Sequence, residues 1–142
     1  MGPPSYTVEI QKLLPPREAP FTRLFVYGSL RTKGSHGFLM KDASRLGPFQ
    51  TLPMCQLVAD EWYPGLIPGS GIVMGELFRV PTHLWTALDA FEECPTVYQC
   101  APVQLEDRTW AWTYWIRPRW AQQMQGIPCG DWLARMQDPR TR

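Results

Sequence analysis

The sequence has no run of charge of either sign. Its 14 basic and 13 acidic residues are scattered, and the net charge is +1. A nucleic-acid binder usually carries a basic patch and a high pI, whereas this pI is about 7.7. Nucleic acid is therefore not an expected partner. Clustered metal ligands are also missing. Cys55, Cys94, Cys100 and Cys129 form no C-x-x-C pair, and only His36 and His83 stand beside them. Neither a zinc site nor any other metal is expected. Gly69-x-Gly71-x-x-x-Gly75 is the one glycine series resembling a nucleotide loop. Its spacing is wrong by one residue and it precedes a strand, so no cofactor is expected. Residues 1–20 lack a continuous apolar run, which argues against a signal peptide or a membrane span at the start. The expectation is a soluble, cytoplasmic protein with reduced cysteines.

What remains is a core-forming composition. The chain has 142 residues, 44% of them apolar, which suits one domain with a substantial core. Fifteen prolines and eleven glycines call for short elements and many turns. Residues 1–20 hold Pro3, Pro4, Pro15, Pro16 and Pro20 and read as an N-terminal arm, with Tyr6–Ile10 either an edge strand or loosely held. Residues 21–142 read as a single domain. Strands are expected at Leu24–Tyr27, Arg45–Phe49, Met54–Val58, Ile72–Val80, Val97–Leu105 and Trp110–Ile116, the last two forming a hairpin. Phe38–Met40 suggests a short helix, and Pro81–Glu92 a longer one. Gly130–Met136 suggests a third, capped by Asp131. Glu61–Gly71, rich in proline and glycine, reads as loop, and the chain after Pro118 as irregular. There is no β-α-β rhythm. The expected fold is α+β: a compact, mixed, mostly antiparallel sheet flanked by short helices and resembling a β-barrel, possibly closed.

Two stretches carry chemical interest. Leu24-Phe25-Val26-Tyr27 runs straight into Gly28-Ser29-Leu30-Arg31. A buried strand ending in a glycine turn leaves N–H groups unpaired and pointing the same way, a concavity suited to a carboxylate. On the helix from Pro81, Leu84, Trp85 and Leu88 form one stripe, and Glu92 falls on it at the last turn, while Glu93 is rotated toward solvent. Desolvation and the negative helix end both raise the pKa of such a carboxyl, toward the range where general bases work. Glu76, mid-strand among apolar neighbours, is the competing carboxylate and reads as a structural acid. Trp110 and Trp112 share a strand face, which reads as buried core or, in a carbohydrate binder, as an exposed stacking surface.

The letters around these stretches resemble the gamma-glutamylcyclotransferase-like superfamily, which includes AIG2-like proteins and gamma-glutamylamine cyclotransferase. The resemblance rests on Phe25-Val26-Tyr27-Gly28-Ser29-Leu30, Trp62-Tyr63-Pro64-Gly65, Gly75–Val80, Leu88-Asp89-Ala90-Phe91-Glu92 and Tyr98, spanning about Leu24 to Ile116. It implies a mixed barrel flanked by helices. It implies an enzyme that cyclises a small-molecule gamma-glutamyl substrate to 5-oxoproline and releases an amine or amino acid, without metal or cofactor. The family's catalytic glutamate corresponds to Glu92. Tyr27, Gly28, Ser29 and Leu30 correspond to the loop that holds the glutamyl moiety, Tyr98 to a pocket-lining aromatic, and Tyr63 to a residue that could cover the pocket. Cys100 departs from the pattern, since many relatives carry arginine two residues after the tyrosine. A catalytically silent binding module of the same fold is the alternative. Oligomeric state and leaving group are left open.

Overall fold

The computed structural model describes residues 2–137. A five-stranded sheet is its centre, in the order β2-β5-β1-β7-β6. The strands are β1 (Phe21–Val26), β2 (Ser44–Gln50), β5 (Met74–Pro81), β6 (Tyr98–Gln104) and β7 (Trp110–Ile116). Neighbours run antiparallel except β1 and β7, which are parallel with Leu24 opposite Trp112. A second, three-stranded sheet has the order β4-β3-β8, built from β3 (Cys55–Ala59), β4 (Pro64–Pro68) and β8 (Gln125–Gly126). The helices are α1 (Val8–Gln11), α2 (Leu84–Phe91) and α3 (Pro118–Ala121), with 3-10 turns at Gly37–Met40 and Arg135–Gln137.

The mixed α+β class holds, but the sheet does not close into a barrel. Edge strands β2 and β6 meet near their ends, through a bridge between Thr51 and Leu105. Only that isolated bridge joins the two edges, and no strand ladder runs between them. The other three strands pair among themselves.

Side chains of β1 alternate between two cores. Leu24 and Val26 join Leu84, Trp85 and Leu88 of α2 with Ile10 and Leu14 of the N-terminal segment. Phe25 and Tyr27 join Leu57 and Leu66 of the small sheet with Leu77 and Trp115. Both faces of β1 are covered, which is why its sequence is a continuous apolar run. The helical stripe is confirmed: Leu84, Trp85 and Leu88 are all buried.

Three segments differ from expectation. Val8–Gln11 is a helical turn capped by the Thr7 hydroxyl, not an edge strand. Tyr6 stacks near Trp112 with centroids 4.8 Å apart, and the Trp112 indole donates to the Pro15 carbonyl at 3.1 Å. Trp112 and Trp115 are buried, so no open indole stripe for sugars exists on β7. Pro64–Pro68 is strand β4, not loop. It lies at the edge of its sheet, where a missing proline N–H leaves no ladder bond broken. Beyond Arg117 the chain makes α3, with Pro118 at its first turn, and then β8. At the C-terminal side Asp131 accepts from the N–H groups of Leu133 and Ala134, the bonding of an N-cap.

Candidate active site

A cavity of about 830 Å3 opens where the end of β1, the end of α2, the β3–β4 turn and the α3 region converge. Tyr27, Gly28, Ser29, Leu30, Tyr63, Glu92 and Tyr98 all line it. Seven residues spread over about half the sequence are thus brought to one space.

Glu92 is the C-cap of α2, its N–H bonded to the Leu88 carbonyl at 2.9 Å. The helix ends there because Glu93 takes a left-handed conformation, φ 51°. Glu93 N–H bonds the Ala90 carbonyl and Cys94 N–H the Asp89 carbonyl, which together form a Schellman turn. Glycine is the usual residue at that position, and a side chain there costs about 1–2 kcal/mol. The strained turn fixes the direction in which Glu92 leaves the helix. Its carboxylate opens onto the cavity and is only partly covered, and no described residue hydrogen-bonds it. Crowding by protein without a compensating donor pushes its pKa up to about 8.

The loop after β1 supplies the complementary group. Its own turns use the carbonyls, with Arg31 N–H bonded to Gly28 O and His36 N–H to Ser29 O. The N–H groups of Gly28, Ser29 and Leu30 donate to no described residue. Gly28 does not adopt a left-handed angle, so the conformational reason expected from the sequence is not the one at work. Close approach is. A Cβ on Gly28 would sit 2.7 Å from Cγ of Pro64.

Two tyrosines brace the walls. The Tyr27 hydroxyl donates to the Tyr114 carbonyl at 2.7 Å, and the Tyr98 hydroxyl to the Pro64 carbonyl at 2.6 Å. Burial raises both phenol pKa values well above normal, so both stay neutral donors. Tyr63 is exposed at the mouth.

Glu76 lies behind the loop. Burial works to raise its pKa, but the Thr32 hydroxyl and N–H, at 2.6 and 3.0 Å, together with Arg45, bring it below its ordinary value. Arg31 bridges Glu76 at 3.5 Å and Asp131 at 2.7 Å. Glu76 therefore holds the loop in place as a charged anchor.

At the back of α2, Asp89 accepts from the Tyr114 hydroxyl and pairs with Arg17, both at 2.6 Å. The Arg17 guanidinium covers the Trp85 ring at 4.2 Å. Arg17 and Cys100 line the same small cleft, so a cation reaches this corner from the N-terminal segment and not from position 100.

The sequence reading missed the far wall. His36, Asp60, Trp120, Gln123 and Met124 also line the cavity. Pro118 at a helical first turn was a usable signal for α3, but nothing local announces that α3 packs beside β4. Among the described residues no three His, Cys, Asp or Glu side chains gather closely enough to hold a metal ion. No helix among them is long and apolar enough to cross a membrane.

Comparison with known proteins gives a consistent relationship. The family model described as gamma-glutamyl cyclotransferase, AIG2-like, matches residues 24–134. The Escherichia coli K12 gamma-glutamylcyclotransferase family protein YtfP is 36% identical over 113 residues, covering 80% of this chain and 97% of YtfP. Mouse gamma-glutamylaminecyclotransferase is 30% identical over 98 residues, covering 61% of this chain and 65% of that protein. The solution structure of E. coli ytfP superposes with a TM-score of 0.61 over 81% of this chain and 99% of its own.

Proposed function

The chain belongs to the gamma-glutamyl cyclotransferase, AIG2-like family, and from that premise we propose that it cyclises the glutamyl part of a gamma-glutamyl amine or amino acid to 5-oxoproline, releasing the amine. The observation that carries this reading is an unpartnered, desolvated carboxylate, Glu92, sharing a cavity with three unpaired backbone N–H groups.

The substrate's α-carboxylate is held by the N–H groups of Gly28, Ser29 and Leu30. Its α-ammonium then lies toward Glu92, whose carboxylate removes one proton. An ordinary glutamate, with a pKa of about 4.3, is a poor match for an ammonium, and a value near 8 is a much better one. The freed amine attacks the γ-carbonyl carbon and a five-membered ring forms. The Glu92 carboxyl returns its proton to the departing nitrogen as the original C–N bond breaks, and the second proton, shed by the ring nitrogen as it becomes an amide, passes through the regenerated carboxylate to the released amine, which leaves as an ammonium. No atom is gained or lost, and Glu92 ends as it began. Folding the substrate so that its two ends meet is the cavity's main contribution. Tyr27 and Tyr98 shape the walls, and Tyr63 lies over the mouth.

The test is direct. The purified protein is incubated with a panel of gamma-glutamyl compounds, and 5-oxoproline is detected by mass spectrometry. Release from at least one compound, unaffected by a strong chelator, is expected. Binding without any release across the panel would favour a silent binding module instead.

A further inference from the structure

The family model matches residues 24–134, and Arg17 lies outside that span. The segment carrying it is fastened on both sides. The Tyr6 hydroxyl donates to the carbonyl of the fully buried Leu14 at 2.7 Å. The Trp112 indole and the Thr22 hydroxyl both donate to the Pro15 carbonyl, at 3.1 and 3.4 Å. Beyond Arg17, the Thr82 N–H donates to the Pro20 carbonyl at 3.0 Å. Arg17 is thus carried to α2 by backbone tied to β1, to β7 and to the turn before α2. There its guanidinium covers the Trp85 ring and donates to Asp89, one helical turn further on, at 2.6 Å.

Asp89 is gripped on three sides. Its second carboxylate oxygen accepts from the Tyr114 hydroxyl, also at 2.6 Å. Its backbone carbonyl accepts the Cys94 N–H at 2.9 Å, one of the bonds that close the turn after Glu92. The side chain therefore ties α2 to β7 and to the N-terminal segment. The backbone passes that hold to the turn from which Glu92 leaves the helix. That turn contains the left-handed Glu93, a conformation that persists only where its surroundings impose it. A lone ion pair in open solvent would add little. This pair has only 24% and 30% of its two side chains exposed. Its carboxylate is shared with Tyr114, whose own carbonyl takes the Tyr27 hydroxyl at the cavity wall. Without Arg17, Asp89 would keep its charge with one neutral side-chain donor, and the end of α2 would lose its tie to the N-terminal segment.

We propose that Arg17 is a positioning residue: through Asp89 it clamps the end of α2 so that Glu92 faces the loop after β1. The inference rests on the reaction proposed above. The register of β6 and β7 offers a way to separate the cation from the segment that carries it. Cys100 pairs across from Tyr114, so their side chains share a sheet face, and Cys100 lines the same small cleft as Arg17. An arginine at position 100 would point toward Asp89 from β6.

Three variants test this beside the parent: Arg17→Met, Arg17→Lys, and Arg17→Met combined with Cys100→Arg. The substrate is whichever gamma-glutamyl compound the parent turns over fastest. In Arg17→Met, kcat should fall about ten- to a hundredfold while KM changes by less than about twofold, as misplacement of a reacting group predicts. Native-state hydrogen exchange reads the clamp without turnover. The amides of Glu92 and Cys94 bond the Leu88 and Asp89 carbonyls. In Arg17→Met they should exchange about tenfold faster, while the amide of Leu77 in β5 is unchanged. Arg17→Lys keeps the cation, and the double variant returns it from β6. Both should recover most of kcat and slow the exchange again. Parent-like kcat and exchange in Arg17→Met would overturn the inference. So would acceleration spread evenly to Leu77, or recovery in neither of the other two variants. If the parent releases no 5-oxoproline, the proposed reaction fails, and the exchange pattern still decides whether Arg17 sets the end of α2.

Discussion

Glu76 and Glu92 are the same residue in two settings, and the less accessible of the two is the stronger acid. Glu76 is almost fully buried yet held below its ordinary pKa, because Thr32 and Arg45 satisfy its charge. Glu92 borders the cavity and burial pushes it up to about 8, with no described residue donating to it to offset that. Partners decide the direction, not depth alone. One carboxylate is an anchor that must stay charged. The other is free to gain and lose a proton.

The hardest test of this contrast is Glu92→Gln. Turnover should fall by about 10²–10⁴-fold while ligand binding survives, as loss of a general base predicts. Steady-state kinetics beside a binding isotherm would check it, and full activity would remove Glu92 from the mechanism. The parent's kcat/KM should rise with pH through a midpoint near 8 and level off above it, the range set by desolvation of Glu92.

Next in size is Glu76→Gln. Losing hydrogen bonds to a charged group should cost about 2 kcal/mol, or roughly 4–8 °C in Tm for a chain this long. Activity should fall only as the loop loosens. The pH dependence of stability gives the two acids opposite signs. The folded pKa of Glu76 lies below its ordinary 4.5, so its contribution is present above that value and lost on acidification. The folded pKa of Glu92 lies above 4.5, so its contribution is full below that value and declines as pH rises to about 8. Glu76→Gln should flatten the acid arm of a melting-temperature profile, and Glu92→Gln the arm from 4.5 to 8. Swapped arms would refute the comparison.

Smaller effects concern the loop itself. Gly28→Val should push against Pro64 and cost about 1–3 kcal/mol as overpacking, raising KM more than it lowers kcat. Smallest is Tyr98→Phe, which loses the bond to the Pro64 carbonyl and about 1 kcal/mol of stability, read from a denaturant midpoint.

Much of this was legible because it is local. The apolar run into Gly28 gave β1, and the spacing of Leu84, Trp85 and Leu88 gave both α2 and the side from which Glu92 emerges. Glu76 read as a structural acid because a mid-strand carboxylate needs donors. Its donors, Thr32 and Arg45, come from segments 44 and 31 residues away and could not be named in advance. Pro64 and Pro68 hid β4, since edge position is a property of the sheet and not of the segment. Glycine at 28 was read for its backbone freedom, while the fold uses its missing side chain. The wall holding Asp60 and Trp120 depends on α3 packing by β4, a contact no local pattern encodes.

The parallel pairing of β1 with β7 has a consequence in time. Thr113 donates to the Phe25 carbonyl across 88 residues of chain, and the antiparallel partner β5 is itself some fifty residues downstream of β1. During synthesis β1 and its glycine loop emerge before both flanking strands and wait for them, at about 5–20 residues per second, to leave the ribosome. Such distant pairings make folding slow, because loop-closure entropy is spent before the contacts form. The glycine loop is thus made before either strand that flanks β1, and a nascent chain stalled before Trp110 carries Glu92 beside an unfinished cavity.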